Sequence, residues 1–122
     1  MKKRILIVED DRSFASVLSF LFKGEGLKVY VAYNGNSALE QIHKKSPDMV
    51  VLDINLPDIN GFKLCEAIKA RPDTRDVPVI MLTARDRPTD LEKGKRLGVI
   101  EYLVKPVDHR ELLELVRRHL DY

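Results

Sequence analysis

Five short aliphatic runs, separated by stretches with helical periodicity, constrain this sequence more than any other feature. They cover residues 5–8, 29–32, 49–52, 77–82 and 100–104. Each is nearly continuous in β-branched or aliphatic residues rather than alternating, as expected of strands in a parallel sheet with helices on both faces. Five such strands alternating with five helices and joined by right-handed crossovers predict an α/β, doubly wound (βα)5 fold around an open central sheet. A chain of 122 residues has room for one core, so a single domain over 1–122 is expected.

The helical stretches carry their own signals. Phe14, Val17, Leu18, Leu21 and Phe22 recur at helical spacing and predict a first helix with this stripe on the core, ended by Gly24 and Gly26. The last helix is expected to start at Asp108 as N-cap with Glu111 three residues on, and to bury Leu112, Leu115, Val116 and Leu120. The stretch over 88–97 is the weakest helix, since Gly94 interrupts it and only Leu91 and Leu97 read as core-directed. That weakness marks it as a moving part.

Composition excludes several classes. The 21 basic and 19 acidic residues are interspersed for a net charge of +2, which gives no electrostatic case for nucleic acid or an anionic membrane. No segment approaches the about 20 apolar residues of a membrane span. Met-Lys-Lys-Arg has the charge order of a signal peptide, but Glu9 follows after only four apolar residues. The single Cys65 rules out an internal disulfide and a cysteine zinc site, and reads as a small semi-buried helix residue in a reducing compartment. His43, His109 and His119 lie apart without ligand spacing and are expected on the surface. The expected location is the cytoplasm.

In an open parallel sheet, ligands collect beyond the carboxyl ends of the strands. Those ends are chemically selected here. Glu9, Asp10 and Asp11 follow the first strand, Asp53 the third, Thr83 the fourth, and Lys105 with Pro106 the fifth. Carboxylates gathered from two strands repel unless a cation neutralises them, and magnesium, which takes oxygen ligands and retains waters, leaves positions open for a phosphate oxygen. Such a set suits phosphoryl transfer, with Asp53 as nucleophile, Lys105 neutralising the phosphoryl group and Thr83 bonding one of its oxygens. Taken singly, Glu9–Asp11 also reads as a solvated helix-capping turn, Thr83 as a turn hydroxyl and Lys105 as a surface lysine. The conjunction carries the argument.

Four segments in order and spacing, Ile-Leu-Ile-Val-Glu-Asp-Asp (5–11), Val-Leu-Asp-Ile-Asn-Leu-Pro-Asp-Ile-Asn-Gly-Phe (51–62), Pro-Val-Ile-Met-Leu-Thr-Ala (78–84) and Glu-Tyr-Leu-Val-Lys-Pro (101–106), resemble the bacterial two-component response-regulator receiver domain. The resemblance covers essentially the whole chain and implies a flavodoxin-like, chemotaxis-regulator-like fold with strand order 2-1-3-4-5. It implies that Glu9, Asp10, Asp53 and the backbone carbonyl of Asn55 hold Mg2+, that Asp53 accepts the phosphoryl group, and that Thr83 and Lys105 approach it. Tyr102 is implied as an aromatic switch, and the Lys105–Pro106 bond as cis.

A sensor histidine kinase or histidine phosphotransfer protein is then the donor. The surface of the fourth helix, fifth strand and fifth helix would act on a downstream effector protein or fused domain. Phosphorylation-dependent homodimerisation is allowed; neither membrane nor direct nucleic-acid contact is expected. The domain would be a phosphoacceptor assisting its own phosphorylation and dephosphorylation rather than an enzyme acting on others. Where the family often has Gly-Ala followed by acidic residues before the switch, this chain has Gly98, Val99, Ile100 and Glu101, with Val99 and Ile100 bulkier, and Arg85 adds a cation near the site; both are expected to tune it. A haloacid-dehalogenase-type phosphatase would need an acid where Asn55 stands, and a flavodoxin-type cofactor binder would need a phosphate-cradling loop where Glu9–Asp11 repel phosphate. A degenerate receiver used only for binding would not need every acceptor-site position intact.

Overall fold

Every aliphatic run becomes a strand, and the strands sort their side chains to two sides. A computed structural model describes all of residues 1–122. In chain order the elements are β1 (Arg4–Val8), α1 (Arg12–Gly24), β2 (Lys28–Ala32), α2 (Gly35–Lys45), β3 (Met49–Leu52), α3 (Gly61–Ala70), β4 (Val79–Thr83), α4 (Pro88–Arg96), β5 (Glu101–Val104) and α5 (His109–His119). The five strands form one parallel sheet in the order β2-β1-β3-β4-β5. This is the doubly wound fold and strand order expected from the sequence.

Because successive strand residues face opposite sides, β1 feeds two cores. Leu6 and Val8 join Ala38 and Ile42 of α2 and Leu64 and Ile68 of α3, whereas Ile5 and Ile7 join Leu18 and Phe22 of α1 and Leu112 and Val116 of α5. The inner strands β3 and β4 are buried throughout, while the edge strand β5 is half-buried along its length. Cys65 lies within the first core and is fully buried rather than semi-buried.

Two helices depart from the expected faces. The buried positions of α1 are Ala15, Leu18 and Phe22, and Val17 is exposed, because the helix phase centres the core face between Ala15 and Leu18. In α4, Leu91 is exposed and the buried residues are Asp90 and Gly94. Gly94 does not interrupt α4: a Cβ there would stand 2.9 Å from Tyr102 Cδ2, so glycine is what lets the helix close on that ring. Asp108 caps α5 as expected, accepting from the N–H groups of Arg110 and Glu111, and Leu112, Leu115, Val116 and Leu120 are buried.

The helices run antiparallel to the strands, so all five end at the amino edge of the sheet. Each has a basic last turn: Lys23 in α1, Lys44 and Lys45 in α2, Lys69 in α3, Lys95 and Arg96 in α4, Arg117 and Arg118 in α5. Cations there complement the negative ends of the helix dipoles.

Candidate active site at the carboxyl edge of the sheet

The neighbouring strands β1 and β3 stop one residue before Glu9 and Asp53, and the register Val8↔Leu52 brings these two acids side by side. Ligand atoms of Glu9, Asp10 and Asp53 lie within 4.8 Å of one another. Glu9 and Asp53 are buried, at 3% and 6% exposure, and Asp10 faces solvent. Carboxylates packed this closely need a counter-charge. Lys105, from the end of β5, supplies one: its Nζ donates to Glu9 Oε1 at 2.5 Å and to Asp53 Oδ2 at 3.0 Å, and sits 4.5 Å from the centre of the Phe14 ring. The chain leaves β5 through a cis Lys105–Pro106 bond.

The two buried acids each also have a backbone donor. Asp11 N–H donates to Glu9 Oε2 and Asn55 N–H donates to Asp53 Oδ1, both at 3.1 Å. Burial pushes the Glu9 carboxyl above its ordinary range, opposed by its bond from Lys105. Burial works against the Lys105 ammonium too, but its bonds to Glu9 and Asp53 outweigh that and raise it. The donor set is all carboxylate, with no sulfur or imidazole, and fits a hard divalent cation such as magnesium.

The other residues singled out from the sequence divide. Thr83 is fully buried at the end of β4, and its hydroxyl accepts from Arg85 N–H at 3.4 Å and makes no hydrogen bond to Asp53 or Lys105. Tyr102 is half-buried and donates to the Arg85 carbonyl at 2.9 Å. Asn55 is exposed beside Asp53, and Asp11 caps α1 by accepting from Phe14 N–H at 3.2 Å. His119 faces Glu101 at 3.2 Å and His43 faces Asp73 at 3.7 Å, both away from the acids.

Two carboxylates escaped the sequence reading. Asp58, in the loop after β3, accepts from Gly35 N–H at 2.7 Å and Asn36 N–H at 2.8 Å, tying that loop to the start of α2. Asp90 is buried in the first turn of α4 and pairs with Arg85 at 3.1 Å. Neither has a local sequence signal, since the first acts across 23 residues and the second depends on how the preceding loop folds back. Gly61 has a steric reason: a Cβ there would stand 2.5 Å from the Asp53 carbonyl, so α3 can begin against the acidic loop only without a side chain.

Residues 5–117 match the model of the response regulator receiver domain family. Among solved structures, a CheY-like response regulator receiver domain protein from Methanospirillum hungatei is 33% identical, with a TM-score of 0.91 over 99% of this chain and 95% of that one. The chemotaxis protein CheY4 of Vibrio cholerae is 29% identical, with a TM-score of 0.91 over 98% of this chain and all (100%) of that one. The receiver domain of the sensor histidine kinase PA1611 from Pseudomonas aeruginosa, solved with a magnesium ion coordinated in its active-site cleft, is 28% identical, with a TM-score of 0.89 and 100% of both chains covered. Fold, family match and acidic edge agree: the chain belongs to the response regulator receiver domain family, the phosphoacceptor domain of two-component signalling.

Proposed function

We propose that residues 1–122 form one receiver domain that takes a phosphoryl group onto Asp53 from a histidine kinase or histidine phosphotransfer protein. The observation that carries this reading is the cluster of Glu9, Asp10 and Asp53 with Lys105 bonded across two of its members. Glu9, Asp10, Asp53 and the backbone carbonyl of Asn55 would hold magnesium, as the relative from P. aeruginosa holds its ion in the corresponding cleft. When bound, the ion supplies positive charge that stabilises the phosphoryl oxygens.

The chain's own residues supply the rest. An Asp53 carboxylate oxygen attacks phosphorus, the phosphorus–nitrogen bond of the donor phosphohistidine breaks, and the imidazole leaves with the bonding pair. The Lys105 ammonium, already hydrogen-bonded to Asp53, remains to neutralise the acyl phosphate. The buried Thr83 hydroxyl then exchanges its Arg85 partner for a phosphoryl oxygen, and Tyr102, bonded to the same loop, responds. Next to Tyr102 is a groove of about 350 Å³, lined by Leu91, Lys95, Val99, Ile100 and Glu101, which a downstream protein would read. No helix is long and apolar enough to cross a membrane, and a lone buried thiol suits the cytoplasm.

The test is incubation with magnesium and acetyl phosphate, read by intact mass, with Asp53→Asn in parallel. The expected result is a magnesium-dependent gain of one phosphoryl group that the variant lacks. A gain of equal size in Asp53→Asn would overturn the assignment of the acceptor.

A further inference from the structure

Three groups of the region around β4 and α4 converge on Arg85. Its N–H donates to the Thr83 hydroxyl at 3.4 Å, its carbonyl accepts from the Tyr102 hydroxyl at 2.9 Å, and its guanidinium donates to Asp90 Oδ1 at 3.1 Å. The residue thus joins the end of β4, the ring on β5 and the first turn of α4. Burial, and next the charge of Asp90, push the Tyr102 phenol up to about 12, so at neutral pH it remains the donor in its bond to Arg85.

The Asp90 contact is the anchor of this arrangement. Its side chain is 9% exposed against 37% for Arg85, and its second oxygen, Oδ2, is buried without a hydrogen-bond partner. A buried carboxylate with one cationic partner depends on that partner staying in place. The helix around it has little else to fix it: α4 has no side-chain cap, and its buried positions are Asp90 and Gly94. Arg85 lies two residues past Thr83, so a shift of Thr83 toward Asp53 carries the Arg85 backbone with it and strains its guanidinium contact.

We propose that the Arg85–Asp90 pair is a latch on the loop between β4 and α4, which when closed holds Thr83 in its present position and when open frees it to move toward Asp53, with the Tyr102 ring, bonded to the same loop, reporting the change. The inference rests on Asp53 being the phosphoacceptor. Arg85 and Asp90 are positioning residues, since neither hydrogen-bonds to Asp53. The competing role for Arg85 is electrostatic, a cation near the site that attracts an anionic phosphodonor.

The two roles predict different signs. If Arg85 attracts the donor, Arg85→Ala slows phosphorylation by acetyl phosphate and Asp90→Asn, which removes a negative charge, speeds it. If the pair is a latch, both variants speed it, by about two- to fivefold for a pair whose cation is open to solvent. The double variant is then no faster than the faster single one, because both remove the same contact. Arg85→Lys, which keeps a cation for Asp90, stays close to the parent. The ring resonances of Tyr102 in labelled protein, assigned with Tyr102→Phe, should move in both single variants before any phosphodonor is added.

Opposite signs in the two single variants, or unchanged rates and ring resonances, overturn the latch. If the parent itself takes no phosphoryl group, the acceptor reading fails separately. The Tyr102 resonances of Asp90→Asn then decide on the latch alone, and unchanged signals reject it.

Discussion

Helices α1 and α4 both lead out of loops at the acidic edge of the sheet, and they are held by different forces. The 13 residues of α1 bury Ala15, Leu18 and Phe22 almost completely, and its start is closed by the Asp11 carboxylate. Full burial of a Leu or Phe side chain is worth about 1.5–3 kcal/mol. The 9 residues of α4 bury no apolar side chain; Asp90, Gly94 and the contact to Arg85 take that place. An ion pair whose cation stays open to solvent, as Arg85 does, is worth about 1 kcal/mol, less than one buried aromatic. The side of the site built on α1 is therefore a fixed frame for Glu9 and Asp53, and the side built on α4 can shift at small cost, as a segment that must change conformation requires.

The widest test of this contrast is truncation on each helix. Phe22→Ala should cost about 3–5 kcal/mol, and Leu91→Ala should stay within about 0.5 kcal/mol, measured by urea unfolding. Similar losses would mean that α4 is as firmly packed as α1. A smaller effect on stability, but a clear one on conformation, is expected of Gly94→Ala. The gain in helix propensity of about 1 kcal/mol is offset by a contact of 2.9 Å with the Tyr102 ring, so stability should stay within about 1 kcal/mol of the parent. The half-buried ring is the part free to yield, so its resonances should move; an unmoved ring would show that α4 had shifted instead.

The smallest effect concerns how helices begin. The start of α2 is tied by Asp58, whose carboxyl is held below its ordinary value of 3.8 by the N–H groups of Gly35 and then Asn36. A depressed carboxyl contributes stability above the unfolded value and loses it as pH falls through the folded one. The tie should therefore be intact at neutral pH and lost only below pH 3.8, seen as movement of the Gly35 and Asn36 amide signals with a midpoint below that value. At the start of α4, where no side chain caps the helix, the Thr89 amide should show no comparable titration.

The same contrast decides what was legible in the sequence. The strand ends could be read because a parallel sheet carries every carboxyl end to one edge, which places Glu9, Asp10, Asp53, Thr83 and Lys105 together whatever the loops do. The α5 stripe could be read because a single face of that helix is apolar. In α1 too many apolar residues were available, and Val17 and the 79%-exposed Phe20 show that periodicity alone does not fix the phase. In α4 the determinants are polar: Asp90 looks like a surface acid complementing the helix dipole until Arg85 folds over it, and Gly94 looks like a break until Tyr102 closes on it. Such contacts exist only after distant segments meet, and no local pattern announces them.

The basic last turns of the five helices have a consequence for how the molecule meets a partner. Charges interspersed along the chain are distributed unevenly by the fold, with basic last turns at one edge of the sheet and Glu9, Asp10 and Asp53, only partly offset by Lys105, at the other, so a net charge of only +2 conceals an asymmetry. In the field of a charged partner such a molecule feels a torque as well as an attraction. Ionic strength would therefore act first on the angle at which it arrives, and on the share of collisions that present Asp53, more than on how often collisions occur.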